Sequence, residues 1–160
     1  MAVLFSRGVR RLAGAGGLTL LLGWPAPAAA QRVNLSLQPT SITFQSADPD
    51  TTPVVTAQSI LIRYRVQQNA GGSWRLTVLA AGDLISGPVS IDISNVSWTA
   101  TPNPPFQAGT LSKTVEQTVA SGSGNVNPQQ TGTLVLRLVN SWSYSVGTYT
   151  QSFVFTLSAP

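Results

Sequence analysis

From Val33 onward, apolar and polar residues alternate in short runs. Val33, Leu35 and Leu37 alternate with Asn34 and Ser36, and Ile42 and Phe44 flank Thr43. Ile60, Ile62, Tyr64 and Val66 point one way, and Arg63, Arg65 and Gln67 the other. Trp74, Leu76 and Val78 repeat the rhythm, as do Val89, Ile91 and Ile93. Val115 and Val119 bracket a more polar strand, and Leu134, Leu136 and Leu138 share one face. At the end, Tyr149, Gln151, Phe153, Phe155 and Leu157 face away from Thr150, Ser152, Val154 and Thr156. Period two puts alternate side chains on opposite faces. Each run therefore predicts a strand with one buried and one wet face, the mark of antiparallel sheets. The register of Trp74 with Leu76 and Val78 predicts a core tryptophan.

Turn residues separate the runs. Asn69-Ala70-Gly71-Gly72 predicts a hairpin joining Ile60–Gln67 to Trp74–Ala80. Ser86-Gly87-Pro88 precedes the next strand, and Thr101-Pro102-Asn103-Pro104-Pro105 is a crossing that cannot donate a full ladder. Ser121–Asn125 reads as a flexible loop, followed by Asn127-Pro128. No stretch carries a helical stripe. The expected fold is all-β: an immunoglobulin-like antiparallel two-sheet sandwich of about seven to eight strands. Closure into a barrel is the alternative.

The first 30 residues follow a different logic. Arg7, Arg10 and Arg11 precede the apolar stretch Leu12–Leu22, then Trp24-Pro25-Ala26-Pro27 and Ala28-Ala29-Ala30. A positive region, a short apolar run and a small-x-small site are the parts of a cleavable export signal. The run falls short of the roughly 20 residues a membrane-spanning helix needs. The expected division is a signal peptide at 1–30 and a single β-sandwich domain at 31–160, cleaved before Gln31 and lacking a transmembrane segment once mature. The general secretory route fits better than twin-arginine export, for which Arg10-Arg11 is the only sign. The expected location is extracellular, cell-surface or periplasmic.

That division changes the charge. Three of the nine basic residues lie in the leader. Arg32, Arg63, Arg65, Arg75, Lys113 and Arg137 remain against Asp48, Asp50, Asp83, Asp92 and Glu116, so six against five leaves a net +1. Nucleic acid is therefore not an expected partner. The chain has no histidine and no cysteine. Thiol and Ser-His-Asp chemistry, most zinc designs and a lipid-anchor cysteine are thereby excluded. No catalytic, metal or cofactor-binding residue is assigned and no cofactor is expected. Asp48 and Asp50, two residues apart, offer oxygens of a kind calcium accepts, or they cap local amides in a turn.

Two binding features remain. Arg63, Arg65, Arg75 and Arg137 fall on outward registers and form a candidate stripe for an anionic envelope polymer, or they keep a sheet face soluble. Trp142 and Tyr144 follow Asn140 at a strand end, where exposed aromatics could meet a ligand. Asn34-Leu35-Ser36 and Asn95-Val96-Ser97 match the N-glycosylation acceptor pattern.

Trp74-Arg75-Leu76, on a strand near a Gly-rich turn, resembles the first signature of the WxL surface domains. The closing segment, Gly147-Thr148-Tyr149-Thr150 through Phe155-Thr156-Leu157-Ser158-Ala159-Pro160, resembles that family's last strand, with Phe155 where the family has tryptophan. The resemblance implies an exported, cysteine-poor β domain bound non-covalently to a cell wall. The alternating terminal strand also resembles pilin-like subunits, without the cysteine pair many of them carry. The expectation is a non-enzymatic, secreted or cell-surface protein for envelope structure, attachment or adhesion. Its partners would be an envelope polymer or surface proteins, with self-association possible. The alternatives are a pilin-like subunit polymerising by strand addition, and a small secreted carbohydrate-binding module or hydrolase.

Overall fold

Most of the alternating runs pair into antiparallel sheets. The computed structural model describes residues 31–68, 71–145 and 147–159, and the expected leader lies outside them. Its strands are β1 (Arg32–Gln38), β2 (Val54–Thr56), β3 (Ile60–Gln67), β4 (Ser73–Ala80), β5 (Leu84–Ser86) and β6 (Val89–Ile91). They continue as β7 (Val96–Thr101), β8 (Gly109–Thr110), β9 (Gln117–Ser123), β10 (Val126–Val139) and β11 (Phe153–Ser158). One sheet runs β1-β3-β10-β7-β8, with β2 beside one end of β10. A second runs β11-β4-β9, and β5 and β6 form a small third ladder. No helix among the described residues is long and apolar enough to cross a membrane.

The two larger sheets face each other, and their inner registers supply one core. Ile62, Tyr64 and Val66 of β3 and Leu134, Leu136 and Leu138 of β10 meet Trp74, Leu76 and Val78 of β4. Trp74 is 5% exposed, as its register predicts. Its ring lies 5.1 Å from that of Tyr64, which also takes Phe106 edge-on at 5.7 Å. Burial of these rings is worth about 1.5–3 kcal/mol each, and their tilted pairing adds about 0.5–1.5 kcal/mol. Such large rings fit because glycines face them. A Cβ on Gly122 would stand 2.6 Å from Trp74 Cζ2, and one on Gly132 would overlap the Phe106 ring. Burial also pushes the Tyr64 hydroxyl above its ordinary pKa.

β3 and β4 are not a hairpin, since β3 pairs β1 and β10 whereas β4 pairs β11 and β9. Each has an apolar face, and placing the strands in opposite sheets lets those faces bury each other. The chain crosses through Gly71, whose φ is +84°. The segment Ser121–Asn125 is also no loop: β9 continues to Ser123, and Gly124, with φ +73°, crosses to β10 in the other sheet. Gln68 ties the two crossings together. Its Nε2 donates to Gly72 O at 2.7 Å and Gly124 O at 2.9 Å, and its backbone N–H donates to Asn125 Oδ1 at 2.7 Å.

Ile42 and Phe44 pack on the core without forming a strand. The Gln58 side chain takes the place of a neighbouring strand, accepting from Thr43 N at 3.3 Å and donating to Ser41 O at 3.4 Å. The run at Val89 stops at Ile91 because Asp92 caps a 3₁₀ turn, Ile93–Asn95, accepting from Ser94 N at 2.8 Å. Val115 lies outside β9 and is exposed, whereas Val119 is buried.

The C-terminal strand belongs to the sheet, with Phe153, Phe155 and Leu157 turned inward opposite Ala80, Val78 and Leu76. These three are only half-buried, because β11 is an edge strand. β1 is likewise an edge of its own sheet and lies against β11. Between them a side groove of about 420 Å³ is lined by Leu37, Ile42, Phe44, Phe153 and Phe155.

Candidate functional site

One end of the sandwich carries a cavity of about 400 Å³, set where β10 ends and Asn140, Ser141 and Trp142 follow. Its floor is the core itself, through Val55 of β2, Ile91 of β6 and Leu138 of β10. Phe44, Trp142, Tyr144 and Tyr149 form aromatic walls, and Gln45, Asn140, Ser141 and Thr148 add amides and hydroxyls. None of the lining residues is charged at neutral pH.

The walls are built by specific bonds. Asn140 ends β10 and turns its amide onto the preceding loop, donating from Nδ2 to Ala47 O and Thr52 O at 3.0 Å each. Its backbone N–H donates to Pro53 O at 2.9 Å. The loop 47–53 is thereby fixed beside Trp142. Within it, Asp48 Oδ1 accepts from Asp50 N at 2.9 Å, and Asp48 O accepts from Thr51 N and Thr52 N. This is the local capping turn, and among the described residues no group of three or more acidic side chains could hold a metal ion. Asp50 Oδ1 in turn accepts from the indole Nε1 of Trp142 at 3.1 Å.

Trp142 is 68% exposed. Large aromatics are highly buried on average, so an indole this open departs from the norm. Ser141 and Ser143 share a hydroxyl contact at 2.8 Å, and Tyr144 N donates to Ser141 O at 3.2 Å, which tightens the turn carrying the ring. Tyr144 itself is half-buried. Burial, helped by the Asp92 carboxylate, holds its hydroxyl above the ordinary pKa, so it stays protonated at neutral pH. On the far wall, Tyr149 Oη donates to Ser145 O at 2.9 Å.

The expected exposed aromatics, Trp142 and Tyr144, are thus brought together, and Phe44, Tyr149 and Asp50 join them from other segments. The arginines are not gathered. Arg63, Arg65 and Arg137 lie on the outer face of the six-stranded sheet, and Arg75 lies on the outer face of the three-stranded one. The two outer faces look in opposite directions, so a stripe of all four does not form. Arg63 also donates to Gln38 Oε1 at 2.8 Å. Arg137 stands six residues along β10 from Thr131, the cross-strand partner of Arg63. At about 3.3 Å per residue that separation is roughly 20 Å.

Two carboxylates do approach each other elsewhere, around Lys113. Its Nζ lies 2.7 Å from Asp83 Oδ2 and 4.0 Å from Asp92 Oδ2. The Lys113 hydrogen bond holds Asp83 below the ordinary carboxylate pKa, and bonds from Ser94 do the same for Asp92. A general acid for glycoside hydrolysis needs the opposite shift. Asp83 Oδ1 also accepts from Ile93 N at 3.1 Å, which marks the group as a clamp between loops.

No family model, curated protein or solved structure matches the chain.

Proposed function

We propose that this chain is an exported, non-enzymatic β-sandwich that attaches to the cell envelope through the cavity at the end of β10. The observation that carries the reading is Trp142, exposed on the cavity wall and anchored by Asp50. A concave site with aromatic walls and a few placed polar groups is the usual form of a ligand site. The leader-like residues Arg7 to Ala30 support export. Attachment needs no catalytic group, and the depressed carboxylates at Lys113 fit a structural role. The test is sedimentation of purified protein with envelopes isolated from the producing cell. The wild type should pellet with them, and Trp142→Ala should stay in solution. Failure of the wild type to pellet would sink the reading.

A second reading is a subunit that polymerises by strand addition. It is favoured by the adjacent edges of β1 and β11, whose only charged residue is Arg32. Uncharged edges of this length are templates for another strand. The half-buried residues of the groove between them would be covered by an added strand. This reading predicts ladders or filaments in concentrated protein, and a strictly monomeric species at all concentrations would exclude it.

A further inference from the structure

We infer that the cavity at the end of β10 takes a neutral glycan, with one sugar ring stacked on the open face of Trp142. This inference rests on the attachment reading above and names the ligand class of the same site.

Ring chemistry is the first argument. The π face of an indole carries partial negative charge. A pyranose presents a face of C–H groups made electropositive by their neighbouring oxygens. Such a face covers an exposed indole and leaves the sugar hydroxyls pointing sideways, toward the cavity walls. A purely apolar ligand would lack partners for the polar groups of those walls, Gln45, Ser141, Tyr144 and Thr148. Side-chain amides and hydroxyls each both donate and accept, the pairing that sugar hydroxyls require.

Charge is the second. None of the lining side chains is ionised, and Tyr144 keeps its proton at neutral pH. The charges beside the cavity are carboxylates: Asp50, bonded to the N–H edge of the Trp142 indole, and Asp92, which acts on Tyr144. Carboxylates beside the stacking platform repel anionic polymers such as uronates or phosphodiesters. The arginines that could have attracted such polymers lie on the sheet faces. Uncharged walls with carboxylates beside them therefore disfavour an anionic ligand and fit a neutral one.

Preorganisation is the third. Asn140 fixes the Asp50 loop, the loop fixes Asp50, and Asp50 fixes the indole. A platform held this way loses little side-chain freedom when it is covered, which favours binding. The cavity, at about 400 Å³, lies at the small end of the range for ligand sites. It accommodates one or two sugar units of a longer chain, the remainder running out across Trp142.

The experiment is titration calorimetry of the exported chain with cellohexaose, chitohexaose, xylohexaose and mannohexaose, with polygalacturonate as the anionic control. At least one neutral oligosaccharide should bind, and polygalacturonate should not. Trp142→Ala should weaken binding at least about tenfold, about 1.4 kcal/mol. Trp142→Phe should lie between, and Asp50→Ala should also weaken binding by freeing the ring. Circular dichroism melts of all three variants should match the wild type, because Trp142 is exposed. Binding unaltered by Trp142→Ala, preference for polygalacturonate, or no binding by any neutral oligosaccharide would each overturn the inference. Competition with envelopes separates the two claims. Protein that pellets with envelopes through Trp142 but binds no neutral glycan defeats the ligand assignment alone. Protein that binds glycan yet ignores envelopes defeats the attachment reading alone.

Discussion

Gly122→Ala should destabilise the protein although it adds one methyl group to a strand. At an unobstructed site, replacing glycine by alanine is worth about 0.4–1 kcal/mol, because the unfolded chain loses freedom. Here the new Cβ would lie 2.6 Å from Trp74 Cζ2 and 2.8 Å from Cε2. Trp74 cannot retreat, since it is 5% exposed and has Tyr64 at 5.1 Å on another side. Overpacking of this kind costs about 1–3 kcal/mol, so the net effect is destabilisation of about 1–2 kcal/mol. Trp74→Ala alone should cost about 3–5 kcal/mol through the cavity it leaves. In the double variant the added methyl meets that cavity instead of a ring. The Gly122 penalty should then vanish or change sign, a coupling of about 1–3 kcal/mol. Urea denaturation of the four proteins, followed by tryptophan fluorescence and by circular dichroism, measures the cycle. A Gly122→Ala protein as stable as the wild type, or additive penalties in the pair, would refute the packing of Trp74 against β9.

Other consequences follow from the edge strand, the ion pair and the leader. Deleting the chain from Ser152 onward removes β11 and with it the half-burial of Phe153, Phe155 and Leu157. At about half of the 1.5–3 kcal/mol for full burial of each, this is a large part of a net stability of about 5–15 kcal/mol. The truncated chain should melt without cooperativity or aggregate, and a peptide copying Tyr149–Pro160 should restore folding under the polymerising reading. A truncation melting at the full-length temperature contradicts both. The lowered pKa of Asp83 contributes stability present above the unfolded carboxylate pKa, about 3.9, and lost as pH falls through the lower folded value. Its partner Lys113 is raised, so its share is present below the unfolded pKa, about 10.4, and lost as pH rises through the folded value. Asp83→Asn should flatten both limbs of a melting-temperature-versus-pH curve, and unchanged limbs would remove the clamp from the account. N-terminal sequencing of exported protein should begin at Gln31, and a mature chain retaining Leu12–Leu22 would overturn the export argument.

Alternation made the faces legible but not the partners. Leu35 and Leu37, Ile60 to Val66, Trp74 to Val78 and Phe153 to Leu157 form strands in the expected register and Trp74 is core, whereas Val33, at the start of an edge strand, is exposed. A buried face reads the same whichever sheet it belongs to. For that reason the β3–β4 crossing resembled a hairpin, and Arg75 read as a neighbour of Arg63 although the two lie on opposite outer faces. Ile42 and Phe44 alternate like a strand because they pack like one, yet the backbone of Ser41 and Thr43 beside them bonds to the Gln58 side chain rather than to a strand. The cavity was legible only through Trp142 and Tyr144, in a stretch dense in aromatics and hydroxyls with no period. Phe44 and Asp50 arrive from segments about 90 to 100 residues distant, and only the fold, through Asn140, brings them near.

Trp142 is proposed as the contact by which this sandwich holds the envelope. Side-by-side sedimentation of wild-type protein and Trp142→Ala with isolated envelopes tests it most directly, with circular dichroism melts confirming that both are folded. Wild type should be in the pellet and the variant in the supernatant at the same protein concentration. Equal partition of the two folded proteins would contradict it.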